Sequence, residues 1–213
     1  MKRNILRSLL AAVMITSIAS SARAQFRYGI NAGVSIAKPD LTGLYITGNT
    51  RPVIESGVGF RGGLTLEYQV PTLGMAFDAS VDYLRYNIRL TSERGGVVDN
   101  KYTDIGRNFI EVPLNIKYKF WLGNFHNLVA PMVMTGPSFM FNLDKQPENA
   151  PLTQKRFQPG WNVGLGFDII NFIQLNAGYR FAFGNAIKHS DLMGSAKLRN
   201  KGWYVSATLL FDF

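Results

Sequence analysis

The chain ends on a strict alternation. Trp203, Val205, Ala207, Leu209, Phe211 and Phe213 are apolar, while Tyr204, Ser206, Thr208, Leu210 and Asp212 between them mostly are not. A period of two describes a β-strand with one face in an apolar medium. Such a strand running to a C-terminal Phe, in a chain that opens with an export signal, points to a transmembrane β-barrel of a bacterial outer membrane.

The export signal lies in the first residues. Lys2, Arg3 and Arg7 precede an apolar run from Leu9 to Ala19, and Ala22-Arg23-Ala24 places small residues where a signal peptidase cuts. The run is shorter than the roughly 20 apolar residues that a membrane-spanning helix needs. Residues 1–24 therefore read as a cleavable signal peptide and residues 25–213 as one barrel domain, since no linker or charge block divides them. Losing four cations with the signal leaves a modestly basic chain, which argues against nucleic acid as a partner. There is no cysteine, so an exported chain of this kind must be held by its sheet and not by disulfides.

The alternation recurs along the chain. Phe26, Tyr28, Ile30, Ala32, Val34 and Ile36 share one face of a first strand. Val58, Phe60, Leu64, Leu66 and Tyr68 share a face of the second, opposite Gly57, Gly59, Arg61, Gly63, Thr65 and Glu67. The third starts with Met75, Phe77, Ala79, Val81 and Tyr83 opposite Asp78, Ser80 and Asp82, then changes phase near Leu84, where a bulge or the membrane boundary is expected. In the fourth, Ile110, Val112, Leu114, Ile116, Tyr118 and Phe120 oppose Glu111, Asn115, Lys117 and Lys119. The fifth, from about Leu128 to Phe141, is apolar on both faces, and its register is unreadable. Two more strands, centred on Leu165 and Ala177, and the C-terminal strand bring the count to eight.

Links alternate in length. Short ones fall at 71–74, 121–127 and 170–171; long ones fall at about 38–56, 91–106, 142–158 and 184–200. This is the plan of a barrel with periplasmic turns and outer loops, both termini on the periplasmic side. Leu41–Thr47 leaves open an extra hairpin within the first long loop, and so ten strands in place of eight.

Alternation alone does not say which face meets lipid, but volume does. The interior of an eight-stranded barrel is just wide enough for side chains to fill. Phe, Tyr, Trp and Leu at nearly every inward position would overfill it, so the apolar stripe faces outward. That assignment sends Arg27, Arg61, Lys117, Lys119 and Arg180 into the lumen with Glu67, Asp78, Asp82, Glu111, Asp168 and Asp212. Similar numbers of each sign predict a plug of paired charges; an ion or proton path is the weaker alternative. Aromatic girdles are expected at both boundaries, Tyr28, Tyr68, Tyr118 and Phe211 near one and Phe60, Tyr83, Trp161 and Trp203 near the other.

Two motifs invite chemistry and fail on context. Gly57-Val58-Gly59-Phe60-Arg61-Gly62 matches a dinucleotide fingerprint, but it lies within an alternating strand where the motif needs a following helix. His189-Ser190-Asp191 has nucleophile and base side by side in the last loop, whereas a triad requires convergence in space. His126 and His189 are the only histidines, too few for a dedicated transition-metal site. No catalytic, cofactor-binding or metal-binding set is expected. The basic last loop, with Lys188, Lys197, Arg199 and Lys201, suits contact with lipopolysaccharide phosphates, although a solvated loop explains it as well.

Phe109-Ile110-Glu111-Val112-Pro113-Leu114-Asn115-Ile116-Lys117-Tyr118-Lys119-Phe120 resembles the signature strand of the PorT-like outer-membrane β-barrel family. Thr135-Gly136-Pro137 and Gly178-Tyr179-Arg180-Phe181 resemble later strands of that family. The resemblance implies an all-β outer-membrane barrel, usually without a known activity, and as a second possibility an accessory of type IX protein secretion. It also implies insertion by the barrel-assembly machinery through the C-terminal strand ending at Phe213. Pro113 has no N–H for the ladder, so a local bulge is expected there.

Overall fold

The computed structural model describes residues 25–38, 40–42, 50–70, 73–94, 97–120, 128–144, 152–183, 187–190 and 197–212. The expected signal peptide at 1–24 lies outside them, as do His126, Asp191 and Phe213. The strand segments in chain order are β1 (Gln25–Ala37), β2 (Asp40–Thr42), β3 (Thr50–Glu55), β4 (Gly57–Val70), β5 (Met75–Arg94), β6 (Val97–Lys119) and β7 (Val129–Asn142). They continue with β8 (Leu152–Gln154), β9 (Phe157–Ile169), β10 (Ile173–Ala182), β11 (Ile187–Ser190), β12 (Lys197–Arg199) and β13 (Lys201–Asp212).

Eight of these form one closed ring. β1, β4, β5, β6, β7, β9, β10 and β13 each pair antiparallel with the next, and β13 returns to β1. The closing register runs from Arg27 opposite Asp212 to Ala37 opposite Gly202. No free edge remains within the ring, which removes the unpaired N–H and C=O groups that a membrane cannot satisfy. No helix among the described residues is long and apolar enough to cross a membrane, so crossing falls to the strands.

Side chains sort by parity. Leu64, Leu165, Val58 and Val205 stand outward, each more than 60% exposed, while Glu67, Gln174, Glu111 and Lys119 on the other face are at most 1% exposed. Exposed apolar surface on this scale, wrapped round a polar core, inverts the pattern of a water-soluble barrel. The outer rings gather at both ends: Phe26 with Tyr68 at 4.8 Å and Phe172 with Phe211 at 5.3 Å near one, Phe60 with Tyr83 at 5.9 Å and Tyr179 with Trp203 at 4.9 Å near the other.

The short-turn end is tight. Ile169 and Phe172 close a turn through Phe172 N donating to Ile169 O at 3.0 Å, with Ile170 and Asn171 at φ 50° and 56°. Positive φ at both central positions matches the right-handed twist of the flanking strands. The Arg27 guanidinium donates to the Asn171 carbonyl at 2.6 Å from inside the barrel, tying the turn to the lumen.

The long-loop end carries more regular structure than the alternation suggested. Residues 91–94 and 97–106, expected to be loop, continue the β5–β6 hairpin to Arg94 opposite Val97, and β3 adds to its other edge. Asp40–Thr42 pairs with Lys197–Arg199 from the last long link, and Leu152–Gln154 with Ile187–Ser190. Residues 43–47 of the possible extra hairpin lie outside the described residues, and the ring itself has eight strands.

Neither expected bulge forms. β4 and β5 hold one register from Val70 opposite Met75 to Gly59 opposite Tyr86, so Leu84 keeps the inward phase. What changes there is chemistry: Leu84 and Tyr86 turn inward with Ala37, Phe109 and Met140 to make a small apolar cluster. Pro113 likewise leaves the β5–β6 register unbroken, with Ala79 opposite Leu114 on one side and Asp82 opposite Glu111 on the other. The ladder drops the pairs between them, because proline cannot donate, yet the strand gains no residue.

β7 acquires a definite phase. Ala130, Met132, Met134, Gly136, Ser138 and Met140 face in. Met132 and Met134 sit opposite Gly166 and Gly164 of β9, and their methyl ends occupy the space that a Cβ would take at those glycines. Large against small keeps the interior filled without overpacking.

Candidate functional site

The lumen concentrates the polar chemistry of the described residues. Ten ionisable side chains, five of each sign, are buried in it: Arg27, Arg61, Lys117, Lys119 and Arg180 with Glu67, Asp78, Asp82, Glu111 and Asp168. These are the residues that strand parity sends inward, with one exception. Asp212 lies opposite Arg27 in the register but is exposed, because β13 ends there at the rim.

The lower group, toward the short turns, centres on Glu67. Its carboxylate accepts from Lys117 Nζ and Lys119 Nζ at 2.9 Å each, from Gln174 Nε2 at 2.9 Å, and from the Arg27 guanidinium. Asp168 accepts from Lys119 Nζ at 2.5 Å and Gln174 Nε2 at 3.0 Å, and Arg27 lies at 3.4 Å. Lys117 also reaches Asp78 at 2.5 Å and Gln174 Oε1 at 2.7 Å. Three cations thus face three carboxylates, contributed by β1, β4, β5, β6 and β9, with Gln174 of β10 bridging them.

The upper group is smaller and also neutral. Arg61 pairs with Asp82 and lies 3.5 Å from Glu111, while Arg180 Nε is 3.0 Å from Glu111. Ser138 donates to Glu111, and Asn31 Nδ2 donates to Asp82 at 2.7 Å. The Arg61 guanidinium stands 4.5 Å from the centre of the Tyr204 ring. That ring lies across Gly178, where an added Cβ would fall 2.5 Å from its hydroxyl oxygen.

Burial of unpaired ions would be prohibitive, but each here has an opposite charge in reach. Between the two groups lies a polar cavity of about 40 Å³ lined by Asn31, Asp78, Ser80, Asn115, Asn162 and Asn176, among others. It is large enough for water and too small for a solute. The arrangement therefore locks eight strands together through their inner faces and blocks the bore.

Strand parity sends Asn31, Gln174 and Tyr204 inward without marking them as partners of the ions, and Ser138, on a strand apolar on both faces, gave no readable signal. The dinucleotide-like glycines fall inside β4, with no helix after them. Of the nucleophile-base cluster, His189 and Ser190 end β11 on the β8–β11 ribbon, opposite Thr153 and Leu152, and Asp191 lies outside the described residues. In the basic last link, Lys197 and Arg199 belong to β12, and Arg199 is exposed.

Comparison with known proteins agrees with this architecture. The crystal structure of the outer membrane protein OprG from Pseudomonas aeruginosa superposes with a TM-score of 0.55 at 14% identity, over 89% of this chain and 98% of that one. Neisserial surface protein A (NspA) matches with a TM-score of 0.48 at 17% identity, over 88% of this chain and 99% of that one. At such identities the OprG likeness is one of fold. No curated protein matches the sequence. A family model described as outer membrane protein beta-barrel domain matches residues 18–188, most of the chain. The closed ring, its outward apolar face and this match lead to one conclusion: the chain belongs to the outer membrane protein beta-barrel domain family, and its place is the outer membrane.

Proposed function

We propose that the protein is a non-enzymatic, non-conducting envelope barrel, with its short turns in the periplasm and its long-loop end presented outside for surface interactions. One observation carries this reading: the bore holds mutually paired ions from most of the ring strands, with water-sized cavities beside and between the two groups. A transport role would need those pairs to open. Reconstitution into planar bilayers tests it, and the expected record is flat. Stable ohmic steps from the wild-type protein would overturn the non-conducting part.

The outer end favours anionic partners. Lys38, Arg85, Lys155, Arg156 and Arg199 are exposed there next to the upper aromatic ring, which suits the phosphates of lipopolysaccharide. The C-terminal strand, completing the ring beside β1 and leading to Phe213, is the segment the barrel-assembly machinery would handle. Deletion of the gene is expected to leave lipid A and phospholipid mass spectra unchanged; a change in acylation would instead support chemistry at His189 and Ser190.

A second reading, an accessory of type IX protein secretion, draws on the strand Phe109–Phe120 and its Pro113, which resemble PorT. Cargo reaching the surface normally in a deletion strain would remove it.

A further inference from the structure

The outer wall is dented where β5 meets its neighbours. A groove of about 390 Å³ is lined by the outward side chains of Phe26, Leu66, Phe77, Ala79, Leu114 and Ile116. At its floor Ala79 stands between Leu66 of β4 and Leu114 of β6, so a methyl group is flanked by two larger residues. The Phe26 and Tyr68 rings, 4.8 Å apart, close the end nearer the short turns.

We propose that this groove holds one acyl chain of a glycerophospholipid from the leaflet on the short-turn side. Three observations favour that occupant. The groove belongs to the apolar band that meets the hydrocarbon, so alkyl chains are its surroundings. Its volume takes roughly a dozen methylene-sized groups, counting each at about the 30 Å³ of a liquid water. Its residues lie close to the β4–β5 turn, with rings at the edge where headgroups begin, and so it opens in the half of the barrel that faces the periplasmic leaflet. Because lipid tails are as apolar as leucine, the hydrophobic effect gives a bound chain no advantage over a free one. Shape does: a chain in the groove meets more side-chain surface than a chain on a flat wall.

The inference rests on the orientation proposed above, and the experiment separates the two. The protein is purified from its native membrane in mild detergent, washed extensively, and its bound lipid identified and quantified by mass spectrometry. Wild type and Leu165→Phe, which places a ring on the outward face of β9 away from the groove, are expected to retain about one phospholipid per barrel. Ala79→Phe, which fills the dent, is expected to reduce that about tenfold. Ala79→Leu serves if the larger ring prevents folding, judged by heat-modifiable gel migration. Equal phospholipid on all variants, or none on wild type, overturns the groove. Lipid A lost with Ala79→Phe in place of phospholipid overturns the proposal through its orientation. A dimer that Ala79→Phe dissolves overturns it in favour of a second copy.

Discussion

At the scale of single residues, Glu67 carries the largest share of the interior. It is fully buried and answers to Arg27, Lys117, Lys119 and Gln174 together. Glu67→Ala leaves three buried cations with only Asp78 and Asp168, and a lost buried partner costs about 3–5 kcal/mol. The urea midpoint of the refolded barrel should fall accordingly, while exposed Asp212→Asn should stay within about 0.5 kcal/mol of wild type. An unchanged midpoint for Glu67→Ala contradicts the network. Gly178 supplies a steric counterpart. Gly178→Ala forces the Tyr204 ring off its seat and disturbs Arg61 above it, a cost of about 1–3 kcal/mol. Adding Tyr204→Leu removes the clash, so the double variant should lose less than the sum of the two singles. Additive losses would show that the ring and the glycine act independently.

At the scale of elements, the 170–172 turn is locally at odds with its sequence. Ile170, β-branched and at φ 50°, occupies a region that favours glycine or asparagine, and only its neighbour Asn171 suits the shape. Ile170→Gly should therefore raise stability by about 1 kcal/mol, read as a higher unfolding midpoint. A fall would mean that the Ile170 side chain contributes packing or lipid contact beyond its backbone cost. The same scale shows what the alternation could and could not convey. Parity identified the inward residues of β1, β4, β9, β10 and β13, because one face of each is small or polar. It failed on β7, whose inward Met132, Met134 and Met140 look like lipid-facing residues until the glycines opposite are known. It failed also at Leu84, where the interior itself turns apolar, and at Pro113, where a missing donor was taken to demand a bulge. The failures at β7 and Leu84 share a cause: parity is a property of one strand, whereas side-chain size is matched across two or three.

At the scale of the molecule, the buried charges also fix alignment. A slip of one residue in β1, β4, β5, β6, β9 or β10 would move its ions from the lumen to the lipid, so the network penalises a change of register in six of the eight ring strands. That explains how a chain without cysteines keeps a single closed form.

Which face of the sheet looks toward lipid is directly measurable, because the chain has no native cysteine. Single cysteines at Trp203 through Phe211 of β13, spin-labelled in lipid vesicles, report collision with membrane-dissolved oxygen residue by residue. High oxygen access at 203, 205, 207, 209 and 211 with low access at 204, 206, 208 and 210 is the expected result. The opposite phase, or uniform access to a water-soluble quencher, would contradict the account.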